Sequence, residues 1–149
     1  MKPEIWGPHA WIFLHSVTFD YPDNPTPDIK KKYKGFFESL QGILPCEKCR
    51  NHYKNNLKKQ PLTDTILKSR KNLIEWLIDI HNTINKKNGK ATLSYKQVIK
   101  KYLDYYEGKK ETKDELQKCN NKSITSNLIV IITILLVTVF ILKKRIFMN

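Results

Sequence analysis

Apolar residues recur at intervals of three and four in separate segments of the chain, and this spacing limits the possible folds more than any other feature. The clearest repeat comprises Tyr33, Phe36, Phe37, Leu40, Ile43 and Leu44. Similar repeats run over residues 73–84 and 98–106. Such spacing is typical of amphipathic helices, whereas a half-buried strand would alternate apolar and polar residues. No alternating segment of any length is present, so the sequence predicts an all-α domain.

Polar and turn-forming residues set the predicted boundaries of the helices. Five helices are expected, over residues 9–19, 28–44, 47–57, 69–87 and from 95 onwards. Asp28 and Ser94 are the predicted N-caps, because a short side-chain oxygen can accept a free backbone N–H there. Pro45 ends the second helix, and Asn88 with Gly89 ends the fourth. The short connections suit an antiparallel bundle.

The C-terminal part of the chain has a different composition. Residues 124–142 carry no charge, and a 19-residue helix spans about 28 Å, enough for a thin hydrocarbon core. We therefore predict a domain over 1–107, a polar linker over 108–123, a transmembrane helix over 124–142 and a basic tail over 143–149. The first residues lack the apolar core of a signal peptide. The expected protein is single-pass and tail-anchored, with its main domain in the cytoplasm, although lysines flank both ends of the span.

The positive charge does not predict nucleic-acid binding. The chain has 27 Lys and Arg against 14 Asp and Glu, a net charge of +13. The excess is mostly lysine and is spread along the sequence, without an Arg-rich patch that interleaves with aromatic residues.

The cysteines of the segment "PCEKC" could stabilise the fold as a disulfide, bind a metal or take part in electron transfer. Three cysteines are too few for a disulfide-stabilised scaffold. Zinc usually needs four ligands, but Cys46, Cys49 and His52 supply three, so no metal site is predicted. A thioredoxin-like site would need a β/α pattern. A dithiol at the start of a helix remains, where the dipole and nearby Lys48 and Arg50 would lower a thiol pKa below about 8.5. An incidental pair of cysteines also fits this pattern.

A second group of polar residues lies on the fourth predicted helix. His81, Asn82 and Asn85 are spaced so that all three can face one ligand. Trp11 and His15 form another helical pair, suited to packing on a flat heterocycle. An ordinary solvated helix face would explain the same polar residues.

Three motifs together resemble the Erv/ALR family of FAD-linked sulfhydryl oxidases. They are "WGPHAWIFLHS" (6–16), "PCEKCRNHY" (45–53) and "HNTINKKNGK" (81–90), in the order and spacing of that family. The resemblance covers residues 6 to about 105. The short chain, its Lys, Asn and Ile content and its apolar tail are similar to the membrane-anchored versions of large DNA viruses such as mimivirus.

The resemblance implies a four-helix bundle with a short fifth helix that holds FAD non-covalently. Cys46 would accept attack by a substrate thiolate, and Cys49 would pass two electrons to the flavin, which dioxygen reoxidises to give hydrogen peroxide. The residues that would bind the cofactor are Trp6, Gly7, Trp11, His15, His52, Tyr53, His81, Asn82, Asn85, Lys87, Lys90 and Tyr95.

The resemblance also implies partners. These are protein thiol substrates, molecular oxygen, a membrane and a second copy of the chain in a homodimer. Many members carry a further Cys-X-X-Cys shuttle pair, but this sequence has only Cys119 beyond the motif. Cys119 would be either a bystander in the linker, which we favour, or one half of a disulfide with a second subunit. As a bystander it would leave the enzyme to oxidise its partner directly. The alternative function is a membrane-tethered helical adaptor without redox activity.

Overall fold

The structure, a computed structural model, describes residues 1–108. Its elements are α1 (Pro3–Phe19), α2 (Pro27–Ile43), α3 (Glu47–Lys59), a 3-10 turn (Ile66–Lys68), α4 (Arg70–Lys87) and α5 (Tyr95–Tyr106). No strand occurs over these 108 residues. The prediction of an all-α domain with five helices is confirmed.

Side-chain caps explain where three of the helices begin. The Thr26 hydroxyl, rather than the predicted Asp28, accepts the Ile29 N–H at 3.3 Å and caps α2. Asp28 lies inside the first turn of α2. Ser69 caps α4 in the same way. Ser94 precedes α5 as predicted, and its backbone N–H donates to Gln97 Oε1 while its hydroxyl accepts the Gln97 N–H, which is a capping box.

The first helix begins six residues earlier than predicted. Lys2 is extended, and Pro3 occupies the first helical position, where its missing N–H costs nothing. The helix continues through Gly7 and Pro8, two poor helix formers that hide the periodicity of this segment. Trp6 and Gly7 are therefore helical residues of α1.

Two buried clusters hold the helices together. α1 packs against α4, and α2 packs against α3. The larger cluster includes the fully buried Phe37, Leu73 and Leu77, and each such side chain contributes about 1.5 to 3 kcal/mol on burial. A smaller cluster packs Ile74 and Ile78 of α4 against residues of α5.

Residues Met1–Leu103 form one compact unit, and Asp104 begins a second unit. Of the second unit, the structure describes residues 104–108. No helix within residues 1–108 is long and apolar enough to span a bilayer. The predicted linker beyond Gly108, the transmembrane helix, the basic tail and Cys119 lie outside the described residues, and those assignments stay predictions.

Candidate functional site

Cys46 and Cys49 form a disulfide at the start of α3, with their Cα atoms 5.1 Å apart. Cys46 is the N-cap of the helix, and its Sγ accepts a hydrogen bond from the Cys49 N–H at 3.2 Å. Both cysteines are half-buried. A sulfur in this position lies where the free N–H groups and the helix dipole stabilise a thiolate. The arrangement is suited to thiol–disulfide exchange.

The residues just beyond the disulfide have different environments. Tyr53 is buried in the larger core cluster, and its hydroxyl donates to the Phe37 carbonyl of α2 at 3.0 Å. Burial raises the pKa of Tyr53, so its hydroxyl stays protonated. His52 is half-buried. Desolvation, followed by the charges of Lys87 and Lys48, lowers the pKa of His52. The influence of Lys87 links the end of α4 electrostatically to the helix that carries the disulfide.

Helices α1, α4 and α5 bring four rings together in what we call the imidazole–indole cluster: the buried His15 and Tyr102 and the partly buried Trp11 and His81. Trp11 of α1 stacks on His81 of α4, with ring centroids 3.7 Å apart and planes within 4°. His15 Nε2 lies 3.1 Å from His81 Nδ1, at hydrogen-bond distance. Tyr102 of α5 packs on His15 with centroids 4.5 Å apart. The predicted residues Trp11, His15 and His81 are therefore in direct contact.

Burial keeps both imidazoles of this cluster neutral. Desolvation, with a smaller contribution from His81, lowers the pKa of His15 to about 3. Desolvation, followed by the charges of Lys101 and Lys90, lowers the pKa of His81 to about 4. A neutral imidazole has one donor and one acceptor nitrogen. His15 Nε2 is used in the contact with His81, while the buried His15 Nδ1 has no hydrogen-bond partner among the described residues.

The N-terminal part of α1 contributes a second unpaired polar atom. The Nε1 atom of Trp6 is buried and has no hydrogen-bond partner within the described chain. At the neighbouring Gly7, an added Cβ would meet no described atom within 4 Å. Buried polar atoms are normally hydrogen-bonded, so Trp6 and His15 each leave an atom that a bound ligand could pair with.

Asn82 has a structural contact that the sequence did not predict. Its Nδ2 donates to the Leu93 carbonyl at 2.8 Å, and its Oδ1 accepts the Leu93 N–H at 3.1 Å. The amide thus anchors the loop between α4 and α5. The same loop is fixed at its start by the Lys90 N–H, which donates to the Asn85 carbonyl at 2.8 Å. Gly89 has φ +67°, which a glycine adopts without strain.

Tyr95 joins the first turn of α5 to α4. Its hydroxyl lies 2.9 Å from each carboxylate oxygen of Asp79, to which it can donate. Lys87 and Lys90, predicted near the phosphates of a cofactor, are exposed at the end of α4 and in the following loop. Asn85 is half-buried on α4. The cofactor contacts of these residues stay predictions.

Tyr102 is the residue of this site that sequence reasoning missed. Its place in the apolar repeat of α5 indicates a core residue, and it is buried in the smaller cluster. The periodicity carries no signal that Tyr102 meets an imidazole, because that contact depends on how α5 packs against α1. Over residues 1–108, no group of three or more His, Cys, Asp and Glu side chains is arranged to hold a metal ion.

The fold and the site together define an all-α protein with a Cys-X-X-Cys disulfide at a helix N-terminus and a largely buried imidazole–indole cluster. The Erv1/Alr family model matches residues 8–104. The chain therefore belongs to the Erv1/Alr family.

Individual relatives agree with this assignment. The chain is 50% identical over 99 residues to a protein of Acanthamoeba polyphaga mimivirus named "Probable FAD-linked sulfhydryl oxidase R368", covering 66% of this chain and 69% of the relative. It is 35% identical to the FAD-linked sulfhydryl oxidase of African swine fever virus, and the match covers 68% of this chain and 80% of the relative. The structure is also similar to the crystal structure of the FAD binding domain of Erv1 from Saccharomyces cerevisiae, with a TM-score of 0.64 and 30% sequence identity. The match covers 70% of this chain and 96% of the Erv1 domain.

Proposed function

We propose that the protein is an FAD-linked sulfhydryl oxidase that forms disulfide bonds in protein substrates, with the reaction 2 RSH + O2 → RSSR + H2O2. The observation that carries the proposal is the Cys46–Cys49 disulfide at the N-terminus of α3. Relatives across the matched region are named FAD-linked sulfhydryl oxidases.

Residues of α1, of α4 and of the loop that follows α4 fit a bound FAD. The unpaired His15 Nδ1 and Trp6 Nε1 atoms offer hydrogen bonds to a ligand. The exposed lysines Lys87 and Lys90 supply the positive charge that a pyrophosphate requires. Because Trp11 and His81 stack directly on each other, a flat ring would lie against the outer faces or edges of this pair rather than between them.

The proposed exchange begins at Cys46. A substrate thiolate attacks Cys46 Sγ, the Cys46–Cys49 bond breaks, and its electron pair leaves on Cys49 as a thiolate. A second substrate thiolate then attacks the substrate sulfur of the mixed disulfide. The substrate disulfide departs and Cys46 becomes a thiolate, which the Cys49 N–H and the helix N-terminus stabilise. When bound, FAD would accept the two electrons of the dithiol and deliver them to dioxygen.

The visible spectrum of the purified protein tests this function against the adaptor alternative. Bound FAD gives an absorption band at about 450 nm, and the oxidase should consume oxygen when a dithiol is added. A folded protein that is colourless after incubation with excess FAD, and that consumes no oxygen, would support the adaptor and contradict the oxidase.

We further propose that two copies of the chain form a homodimer. Ile5 and Phe13 of α1 and Ile43 of α2 are large apolar residues that stay 69%, 58% and 68% exposed. A second copy that covers them would remove this surface from water. Analytical ultracentrifugation should show a dimer, and Phe13→Asp should shift it towards monomer. A monomeric wild-type protein would contradict the proposal.

The tail-anchor prediction is retained as a proposal. Residues 124–142 would insert into a membrane and leave residues 1–107 on the cytoplasmic side. A tag at the C-terminus should then be protected from protease in sealed membranes, while the oxidase domain is digested. If the tag is digested and the domain is protected, the protein has the opposite orientation in the membrane and the proposal is contradicted.

A further inference from the structure

We propose that Arg50 is a positioning residue for disulfide exchange, which keeps Cys46 within reach of Cys49 by clamping the turn between α2 and α3. The proposal deepens the function assigned to the Cys46–Cys49 pair and rests on it.

The clamp consists of hydrogen bonds on both sides of Pro45. The Leu44 carbonyl accepts the Cys46 N–H at 2.8 Å and the Arg50 Nη1 atom at 2.6 Å. The Arg50 backbone N–H donates to the Cys46 carbonyl at 2.9 Å. Arg50 thus binds the Leu44 carbonyl, which precedes Pro45, and the Cys46 carbonyl, which follows it.

Apart from Arg50, the turn is held by the Leu44 N–H, which donates to the Leu40 carbonyl at 3.2 Å, and by the Leu44 side chain, which packs against the larger core cluster. Leu44 is the last residue before Pro45 and has left the helical conformation, with ψ 134°. Pro45 has no N–H with which to join a hydrogen-bond network. Arg50 is half-buried, and a hydrogen bond from its charged guanidinium is stronger than a bond between neutral groups.

The clamp matters when the disulfide is open. While Cys46 is bonded to a substrate sulfur, or while both cysteines are reduced, no covalent bond between the sulfurs fixes their separation. The backbone of the turn and the first turn of α3 then determine how often Cys46 Sγ meets Cys49 Sγ. Correct positioning raises the effective concentration of one group towards the other, which favours closure of the pair.

The thiol–disulfide equilibrium with glutathione measures this effect directly. In the reaction, the protein dithiol and GSSG give the protein disulfide and two GSH, so two electrons pass from the cysteines to glutathione. The full chain is equilibrated without oxygen, so that glutathione is the only external oxidant, at a series of GSH and GSSG ratios. It is then quenched in acid and alkylated. The reduced and oxidised proteins are then separated by mass. Every variant carries Cys119→Ser so that only one pair reacts.

Arg50→Met removes the guanidinium hydrogen bond to the Leu44 carbonyl and the positive charge, while the backbone hydrogen bond from residue 50 to the Cys46 carbonyl remains. Arg50→Ala makes the same change with the best helix-forming residue. For both variants we expect the equilibrium constant for disulfide formation to fall about tenfold, which corresponds to a change of about 30 mV. Arg50→Lys keeps a charged donor and should recover part of the loss. The control is Lys54→Met, which removes one positive charge from an exposed position one turn further along α3.

The direction of the change separates positioning from simple electrostatics. If Arg50 acted only by stabilising thiolates, its removal would favour the disulfide and raise the constant. A constant that rises, or that stays within about twofold of the Lys54→Met value, would overturn the proposal. Melting curves from circular dichroism identify variants that remain folded. The equilibrium constant for disulfide formation can be measured without flavin and without turnover. If the oxidase assay fails but the constant still depends on Arg50, the proposed function is contradicted and the positioning role of Arg50 is supported.

Discussion

Replacing Asn82 tests whether this residue anchors a loop or contacts a ligand. Asn82→Ala removes both hydrogen bonds to the backbone of Leu93, at 2.8 and 3.1 Å. A typical hydrogen bond contributes about 1 kcal/mol to stability, so the free energy of unfolding should fall by about 2 kcal/mol. For a domain of about 100 residues this lowers the melting temperature by about 8 to 16 °C.

Two further variants make the test specific. Asn82→Asp keeps an acceptor for the Leu93 N–H but places a carboxylate oxygen opposite the Leu93 carbonyl, so we expect at least half of the same loss. Asn55→Ala changes an exposed residue of α3 and measures the gain in helix propensity from Asn to Ala, which is less than about 0.7 kcal/mol. The energy of the Asn82 contacts is then the observed loss of stability plus this gain.

The assay is thermal unfolding of the protein before and after removal of its flavin. An anchoring role predicts the full loss of stability in flavin-free protein. If flavin-free Asn82→Ala melts within about 3 °C of Asn55→Ala, and only the flavin-loaded form is weakened, the anchoring role is refuted and Asn82 acts as a ligand contact.

Three other changes have defined outcomes. Cys49→Ser should leave flavin absorption intact but abolish dithiol-dependent oxygen consumption, and full turnover would remove Cys49 from the mechanism. The lowered pKa values of His15, about 3, and His81, about 4, mean that the unfolded chain binds more protons below its histidine pKa of about 6.5. The flavin-free protein should therefore lose stability as pH falls from about 6.5 towards 4, which a falling urea midpoint would show. His81→Gln should make this midpoint depend less steeply on pH. An equally steep dependence would contradict the assignment of His15 and His81 as neutral. Tyr21→Phe leaves the Leu67 carbonyl without its 2.8 Å hydrogen bond and should cost about 1 to 3 kcal/mol in urea unfolding, whereas a neutral effect would mean that the carbonyl finds another donor.

The helices could be predicted because their apolar repeats are local features of the chain. The repeat from Tyr33 to Leu44 gives a predicted helix over 28–44, and α2 spans Pro27–Ile43. The cap of α2 was predicted two residues too late, because Thr26 and Asp28 both carry a side-chain oxygen of suitable reach. Only the backbone geometry shows that Thr26 is extended and accepts the Ile29 N–H.

The candidate site could be predicted only as a set of residues. The motifs name Trp11, His15 and His81, but the stacking of Trp11 on His81 depends on the packing of α1 against α4. Local spacing suggested instead that Trp11 pairs with His15, whose ring centroid lies 6.1 Å away and is tilted by 41°. Contacts between helices depend on side-chain packing across the core, which the periodicity of a single helix does not encode.

The sequence by itself therefore determined the all-α class, the helix that begins at the cysteine pair and the residues that resemble a flavin site. These properties depend on the intervals of three or four residues between apolar side chains and on the order of the motifs, and both can be read directly from the sequence. The tertiary structure decided the contacts of those residues: Asn82 with the Leu93 backbone, Tyr102 on His15, and Arg50 on the Leu44 carbonyl. Each of these contacts joins a helix to a residue outside that helix, so its geometry depends on how the chain folds back and not on the spacing within one helix.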